Sequence, residues 1–547
     1  MVTARQIYSV GGGPGVFTSM TDSGYVVPGS RRKSMKGITA TQNSPDVDTV
    51  AKLQGMRALS RDLSMNSALG VAILRRHKIH TIGSGLQVQS MVDRDFLKLS
   101  SDEATEAERN IEREFDLWAE SPNADFDNVH WYGDLQALAY YNMLLSGDYF
   151  FMPVWRTAPE AGFPYEMCVK LIDADLVRDP LITSPVDVQG GVRHNARGQV
   201  DGYYVWSGYE YECSVSGVLK IPTCTFVPLY DSSGRQQIFH VFDPERIAQR
   251  RGVPLLAPVA DPLKQLTRLS DAELMNALVS NFFTVFVRDQ SGMGAMLGPS
   301  MTPEETVTGG GRYGPDQQEV GSRNPADGND LEMGSGNIFY LDDKKDITVA
   351  EPTKTDSSFA SFWDALATQV CAGANIPKEQ ALMHYTTSYT AARAAANDVW
   401  RYRMTARTLL TRKMNVPIYL EWMTEAALKG RLSVPGFFDD YGYRRAWSRS
   451  AWVGTGQGSL NPSADSTASQ TLLDNHLTTH EEEFQTGSGG RWDAAMDKLA
   501  REKEHLNRLG LKDKARWAVE VAQEKATGDE PEEEGVQPLK EDKNAPV

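Results

Sequence analysis

Residues 261–290 of the chain read DPLKQLTRLSDAELMNALVSNFFTVFVRDQ. Asp261 can cap a helix and Pro262 suits the first helical position. Apolar side chains then recur at helical spacing, at Leu263, Leu266, Leu269, Leu274, Ala277 and Phe282. The pattern predicts one helix from residue 261 to residue 290, which would extend about 45 Å. Such a helix is a rod, longer than a compact domain usually requires.

The composition changes directly after the predicted rod. Between Ser291 and Asn337, 47 residues contain eleven glycines and few large apolar side chains. Short strands are predicted at 337–341 and 347–350, and a second helix at 357–372, where aromatic and aliphatic side chains lie on overlapping helical faces. The sequence therefore predicts two helices that bracket a glycine-rich insert.

The chain beyond the second helix is predicted to be mostly helical. Residues 373–387 are expected to form a loop, and a long helix follows at 389–430. Pro417 should kink or split that helix, because proline has no N–H to donate. The remaining elements are predicted as a loop and two helices, at 431–463, 464–478 and 491–508.

Residues 50–260 are predicted to form one α+β domain. Ser100 and Glu103 have the spacing of a capping box ahead of a helix whose apolar face includes Phe115. After Gly147 the pattern changes to short segments rich in aromatic and β-branched residues, which predict strands at 149–155, 167–172, 203–206 and 238–242.

Both ends of the chain differ in composition from this domain. Residues 1–48 combine a glycine-rich start with the basic cluster Arg31, Arg32, Lys33 and Lys36, and they show no apolar periodicity. A flexible, solvated arm is the favoured interpretation, and an arm that contacts a neighbouring protein is the alternative. Residues 526–547 contain seven acidic and two basic residues, and we expect this tail to be disordered.

The net charge limits what the chain can bind. Acidic residues outnumber basic residues by 72 to 56, which gives a net charge of −16. A protein that grips nucleic acid over a broad surface usually presents a basic face, so extensive phosphate binding is not expected. A surface along which DNA passes without adhering is compatible with the charge, because like charges repel.

The sequence contains few signals that indicate a cellular compartment. The most apolar stretch, Leu278–Val287, is interrupted by polar residues and falls short of the roughly 20 residues that span a membrane. No secretory signal is visible at the N-terminus. The four cysteines are scattered without a close pair, which is typical of a reducing cytoplasm.

No motif predicts catalysis, a cofactor or a metal. Residues 309–314 match GxGxxG formally, but a dinucleotide site needs a hydrophobic strand before it and a helix after it. No P-loop and no GxSxG elbow is present. His476 and His480 could share a helical face, but Leu477 stands where a zincin would have glutamate. We therefore expect no catalytic residues, no bound metal and no cofactor.

The predicted helix after Thr387 is locally basic. Its cations are Arg393, Arg401, Arg403, Arg407, Arg412 and Lys413. A solvated face paired with acidic neighbours is the favoured interpretation, and contact with DNA phosphates or an adjacent subunit is the alternative.

Several segments, in unchanged order, together resemble the lambda-like family of phage portal proteins. They are MRALSRDL at 56–63 with IGSGL at 82–86, LIDAD at 171–175, HVFDP at 240–244 with RGVP at 251–254, IPKEQ at 376–380 with SYTAAR at 388–393, and AWVG at 451–454 with Asn461-Pro462. The resemblance covers about residues 50 to 510. The glycine-rich middle of the insert is longer than a compact equivalent in that family would require.

The resemblance implies a portal fold with an α+β wing, a two-helix stem, a small glycine-rich clip and a helical crown. The implied divisions are a flexible arm (1–48), wing (49–260), first stem helix (261–290), clip (291–352), second stem helix (353–373), tunnel loop (374–390), wing return (391–463), crown (464–525) and disordered tail (526–547).

The resemblance also implies function and partners. The chain would form a homo-oligomeric ring, normally a dodecamer, at one capsid vertex of the virion, and the ring would assemble in the host cytoplasm. Double-stranded DNA would pass through it, and its partners would be the terminase large subunit, the major capsid and scaffold proteins, and a head-completion protein. The candidate channel residues are Lys378, His384, Tyr385, Thr387 and Arg393. Two alternatives stay open: a cytosolic enzyme with an unrecognised acid–base site, and another ring-shaped head–tail connector.

Overall fold

The computed structural model describes residues 42–157, 160–181, 187–209, 222–281, 285–289, 345–349, 359–385, 388–458 and 461–510. Several predictions lie outside these ranges: the arm up to residue 41, the strand at 337–341, most of the 291–352 segment, Thr387 and the acidic tail. Within the described ranges the chain contains helices and antiparallel sheets, in agreement with the predicted α+β class.

Regular structure begins with a group of helices. Ser44 caps the first of them by accepting a hydrogen bond from the backbone N–H of Val47, and Pro45 takes the first helical position. The arm predicted for 1–48 therefore ends earlier than expected. The first elements are α1 (Pro45–Thr49), α2 (Leu53–Asn66), α3 (Ala68–Thr81), β1 (Gln87–Ser90), α4 (Arg94–Leu97), α5 (Ser101–Ala119) and α6 (Tyr132–Ser146).

Helix α5 confirms the capping box. The Ser100 side chain accepts from the backbone N–H of Glu103, and the Glu103 carboxylate accepts from the backbone N–H of Ser100 at 2.9 Å. The buried face of α5 includes Phe115, as its spacing predicts. The Phe115 ring centroid lies 5.0 Å from that of Trp422 and 5.5 Å from that of Tyr419. The main core therefore joins the N-terminal helices to a segment far along the chain.

Two antiparallel sheets follow α6. The strands are β2 (Asp148–Trp155), β3 (Met167–Ile172), β4 (Val188–Gln189), β5 (Val192–His194), β6 (Val200–Trp206), β7 (Cys224–Pro228) and β8 (Phe239–Phe242). One sheet has the order β3-β2-β8 and the other β4-β5-β6-β7. The four predicted strands are confirmed. A second, smaller core that includes Phe150, Tyr203 and Ile238 packs between the sheets.

The rod helix predicted for 261–290 is wrong at its C-terminal end. Helix α7 (Ala260–Asn281) stops before strand β9 (Val285–Asp289), which pairs antiparallel with β10 (Lys345–Val349). Residues 282–287 read FFTVFV, and aromatic and β-branched side chains favour a paired strand over a helix. Strand β10 confirms the strand predicted near residue 347.

Helix α8 (Phe359–Gly373) packs against α7 in the antiparallel sense. The indole N–H of Trp363 donates to Ser270 Oγ at 3.2 Å, and Gly373 at the end of α8 lies against Val259 just before α7. The two helices predicted around the insert are therefore side by side.

The segment predicted as a loop at 374–390 is shorter and more ordered than expected. It contains α9 (Lys378–Leu382), and α10 (Tyr389–Leu410) begins before it ends. A π-helical turn at Thr411–Asn415 then separates α10 from α11 (Val416–Leu428). The break predicted at Pro417 is confirmed, because a proline there has no N–H to continue the regular ladder.

The C-terminal part holds more structure than the sequence predicted. The final elements are α12 (Tyr441–Trp447), β11 (Ser450–Val453), α13 (Pro462–Asp474), α14 (His480–Gly487) and α15 (Trp492–Arg508). The predicted loop at 431–463 is wrong where it contains α12 and β11. Strand β11 pairs antiparallel with β1, a tertiary pairing that local spacing does not reveal. The predicted shared helix of His476 and His480 is also wrong, because α13 ends before His476.

Candidate functional site

The segment 374–385 between α8 and α10 is anchored to the protein core. Ala374, Ile376 and Ala381 are buried, and His77 Nε2 on α3 lies 2.8 Å from the carbonyl oxygen of Ala374. That carbonyl can only accept, so the imidazole is the donor. The start of the segment is therefore fixed to the core through α3.

Two arginines of the predicted basic helix are buried, and one of them, Arg403, supports the same segment. Arg403 and Arg407 on α10 are 6% and 7% exposed. Neither side chain therefore lies on a solvated face or is accessible to a ligand. Arg403 donates to Gln380 Oε1 at 2.6 Å, and Arg407 donates to the carbonyl oxygens of Thr81 and Thr455 at 2.6 and 2.7 Å. Burial lowers the pKa of each to about 10. Neither a solvated face nor a direct contact with DNA or an adjacent subunit describes these two residues, so both interpretations were wrong for them. Their side chains are buried and form hydrogen bonds inside the subunit.

The exposed end of the segment is a tip formed by Met383, His384 and Tyr385. Met383 has the left-handed backbone conformation, with φ of 56°, and turns the chain out of α9. Met383 and Tyr385 are 64% and 68% exposed, and His384 is exposed as well. We call residues 383–385 the loop tip. It is the part of this segment that another molecule can reach.

The five predicted channel residues have different surroundings. His384 and Tyr385 lie in the loop tip, and Thr387 is outside the described residues. The Lys378 ammonium lies 2.7 Å from Asp364 Oδ1, and Arg393 donates to Asp465 at 2.8 Å. The structure therefore brings His384 and Tyr385 together, while the charges of Lys378 and Arg393 are balanced inside the subunit.

Buried His77 makes the anchoring of this segment sensitive to acid. Burial lowers the pKa of His77 to about 4, the positive charge of Arg403 acts in the same direction, and the hydrogen bond to Ala374 opposes them. The unfolded chain, with a histidine pKa near 6.5, binds more protons than the folded chain between these values. The stabilisation is therefore complete above pH 6.5 and is lost as the pH falls towards 4.

We expect His77→Gln to weaken the dependence of stability on pH in this window. Glutamine can still donate to the Ala374 carbonyl but does not titrate, so up to about 1.4 kcal/mol per pH unit of acid sensitivity should disappear. Urea denaturation at pH 7 and pH 4.5 measures the effect, with the exposed His505→Gln as the control. An acid sensitivity equal to that of the unsubstituted chain would contradict the assignment.

A second cluster, centred on a fully buried carboxylate, was not predicted from the sequence. Asp148 at the start of β2 is 0% exposed. Its carboxylate lies 2.5 Å from Arg57 Nη2, 2.6 Å from Arg251 Nε and 3.1 Å from His240 Nε2, and it accepts from the backbone N–H of Gly252 at 3.2 Å. We call these five residues the Asp148 cluster. Arg57, His240 and Arg251 stand in segments that carry the family resemblance, and that was the only signal in the sequence.

The Asp148 cluster joins parts of the fold rather than forming an open site. Burial alone would raise the pKa of Asp148, but the charges of Arg251 and Arg57 and the hydrogen bonds from His240 and Arg251 hold it well below its usual value. Arg251 also donates to the carbonyl oxygens of Val177 and Ala174, at 2.7 and 2.8 Å. Two guanidinium groups thus tie α2, β2 and the segment before α7 together.

One cavity in the described part of the chain is lined by several carboxylates. A cavity of about 480 Å³ lies between α1, α6 and Tyr402, with apolar walls and the carboxylates of Asp48, Asp243 and Glu245 on its lining. Asp48 is already bound by Arg246 at 2.6 Å. In the described part of the chain, no group of three or more His, Cys, Asp or Glu is arranged to hold a metal ion. The described helices include none that is long and apolar enough to cross a membrane.

Comparison with known proteins identifies the family. Portal protein B of Escherichia phage lambda is 23% identical over 527 residues, which cover 93% of this chain and 94% of that protein. The portal protein of Escherichia phage N15 is 22% identical over 467 residues, covering 82% and 84%. Among solved structures, a chain from the virion of a native gene transfer agent particle matches with a TM-score of 0.39 and 15% identity, covering 78% of this chain and 92% of that one. The model of the phage portal protein, lambda family, matches residues 31–407, more than half of the 547 residues, and the chain therefore belongs to that family.

Proposed function

We propose that copies of this chain form the portal ring at one vertex of a tailed-phage capsid, through which double-stranded DNA is packaged and ejected. Membership of the portal family supports the class of protein. The observation that carries the ring is the α7/α8 pair, whose sides expose large apolar groups. The role is structural, and the work of moving DNA belongs to a separate ATPase.

The exposed apolar groups on the helix pair are Leu274, Met275 and Phe362. They are 61%, 58% and 56% exposed in the single chain. Burying such a side chain fully is worth about 1.5–3 kcal/mol, so neighbouring subunits gain by covering them. Repeating one side-by-side contact around a closed cycle produces a ring with a central channel. Twelve subunits is the number that the family resemblance implies.

The mapping of functions onto the chain follows the same proposal. Helices α7 and α8 would form the stem, and the segment 374–385 with its loop tip would face the channel. The insert at 291–352 would be the clip on which the terminase large subunit and head-completion proteins dock. The α+β domain at 49–260, with 391–463, would be the wing that meets capsid and scaffold proteins, and 464–525 would be the crown. In the virion, the ring would then connect head and tail.

We expect Leu274→Glu to prevent ring formation while the subunit still folds. The substitution removes an apolar contact and places a charge where the neighbouring subunit would cover it. Gln265→Glu is the matched control, because it adds the same charge at another exposed position of α7. Electron microscopy and analytical ultracentrifugation of the purified proteins provide the measurement. Rings from the unsubstituted chain and the control, but not from Leu274→Glu, are expected.

Two results would argue against the proposal. One is an unsubstituted chain that stays monomeric under every condition, including with its scaffold protein present. The other is a Leu274→Glu variant that forms rings as readily as the control, which would mean that the exposed side of α7 is not a subunit contact.

A further inference from the structure

The C-terminal half of α3 carries three basic residues on a helix without a single acidic one. They are Arg75, Arg76 and Lys78, and residues 68–81 contain no aspartate or glutamate. We call these three residues the α3 basic face. Arg75 is exposed, and Arg76 and Lys78 are half-buried. The chain as a whole has a net charge of −16, so this basic surface has the opposite sign to the overall charge.

The α3 basic face carries uncompensated charge in the part of the chain that the structure describes. Among the described residues, no carboxylate lies within ion-pair distance of any of the three. Some arginines elsewhere do have a carboxylate partner: Arg246 pairs with Asp48 at 2.6 Å, and Arg491 pairs with Glu112 at 3.2 Å. Without a paired carboxylate, the face keeps its positive potential at the surface.

Two further arginines, Arg403 and Arg407 of α10, are buried next to α3. Arg403 and Arg407 donate to an amide oxygen and to backbone carbonyl oxygens rather than to carboxylates. Their charges therefore add to the positive potential rather than cancelling it. Consistent with this, burial and the charges of Arg403 and Arg76 lower the pKa of His80, on the same helix, to about 4.

The α3 basic face and the loop tip belong to one surface. The Arg76 guanidinium contacts the sulfur of Met383, so the helix and the tip touch. The Lys78 ammonium lies 5.7 Å from the ring centroid of Tyr141, and this ring holds it beside α6. Exposed Tyr385 lies two residues beyond Met383, in the same loop tip.

We propose that the α3 basic face binds the phosphate backbone of double-stranded DNA, beside the loop tip. The inference rests on the proposed function, because the loop tip must face DNA. Phosphates fit unpaired guanidinium and ammonium groups, and contacts to the backbone carry no sequence information. Three cations per subunit give weak binding that salt weakens further, which allows the DNA to slide over an otherwise acidic protein.

The test compares two variants with equal changes in charge. One carries Arg75→Gln, Arg76→Gln and Lys78→Gln. The control carries Lys498→Gln, Arg501→Gln and Lys503→Gln, which lie on exposed α15 among acidic neighbours. Binding of a mixed-sequence DNA duplex to purified assembled protein is followed by fluorescence anisotropy between about 50 and 200 mM NaCl.

We expect the α3 variant to bind DNA more weakly and with less dependence on salt. The slope of log K against log salt should become shallower by about 0.9 for each phosphate that is no longer bound, so by about 3 for each subunit that touches the duplex. The α15 control should match the unsubstituted protein. Replacing Arg75 and Arg76 with lysine, which keeps the charge, should retain most of the binding. If the triple variant does not fold, exposed Arg75→Glu alone should still weaken binding.

The outcomes separate this inference from the proposed function. Rings with unchanged DNA binding in the α3 variant, or no DNA binding by unsubstituted rings at the lowest salt, would overturn the inference and leave the ring in place. Loss of rings in the α3 variant alone would also overturn it, because the face would then be a subunit contact. Failure of the unsubstituted chain to form rings would instead overturn the proposed function.

Discussion

Replacing Asp148 with alanine is expected to lower the free energy of unfolding by about 3–5 kcal/mol. The substitution leaves Arg251, whose side chain is 1% exposed, without a carboxylate partner. It leaves Arg57, whose side chain is 4% exposed, with Asp175 alone, at 3.1 Å. Neither guanidinium can reach water without moving the strands and helices around it. A loss of this size is a large share of the roughly 5–15 kcal/mol that stabilises a typical domain.

Urea denaturation followed by tryptophan fluorescence measures this loss. Asp497→Ala is the control, because Asp497 is half-exposed and pairs with exposed Arg109 at 3.3 Å, and we expect it to leave the midpoint unchanged. Asp148→Asn keeps the shape and removes the charge, so it should also be strongly destabilising. A midpoint for Asp148→Ala equal to that of the control would show that the cluster contributes little to stability.

The Asp148 cluster also shows where prediction from sequence stops. Arg57, Asp148, His240 and Arg251 are far apart in the chain, so no local spacing marks them as partners. The capping box of Ser100 and Glu103 could be predicted, because both groups belong to one helical turn. Local hydrogen bonds leave a pattern in the sequence, whereas tertiary ion pairs do not.

The same distinction explains the errors in the secondary structure. Apolar spacing predicted α7 correctly up to Asn281, but the strand that follows it has its partner far along the chain, at Lys345–Val349. Strand β11 was missed because its partner is β1, near the other end of the described chain. In both cases the strand depends on a distant pairing partner, which the spacing of apolar residues does not reveal.

The position of the candidate site was inferred from the resemblance, and its role in a channel stays a prediction. The resemblance indicated the segment from residue 374 onwards, and the structure places His384 and Tyr385 at its exposed tip. Lys378 was predicted on the same footing as these two residues, but Asp364 holds it. No role was predicted for the nearby cations of α3, because nothing in the sequence shows that Arg76 touches the loop.

Gly252→Ala is expected to destabilise the chain by about 3 kcal/mol or more, at the upper end of the range for overpacking. A Cβ atom at residue 252 would lie 1.9 Å from the carbonyl oxygen of Gly147, far inside van der Waals contact. Gly147 cannot easily yield, because its φ of 91° suits glycine and it ends α6 beside Asp148. Moving Gly252 instead would break its N–H bond to the Asp148 carboxylate. The packing of two glycines and the charge cluster are therefore one structural unit.

Gly55→Ala is the matched control for this prediction, because the same substitution should act in the opposite direction. Gly55 is exposed in α2, and a Cβ there would meet no atom within 4 Å. Alanine should stabilise the helix by up to about 1 kcal/mol. Urea denaturation of both variants, alone and combined with Asp148→Ala, tests the coupling. The Gly252 and Asp148 losses should not add, because both break the same unit, whereas the Gly55 gain should add to either. Simple additivity of the Gly252 and Asp148 losses would show that the glycine packing and the cluster act independently.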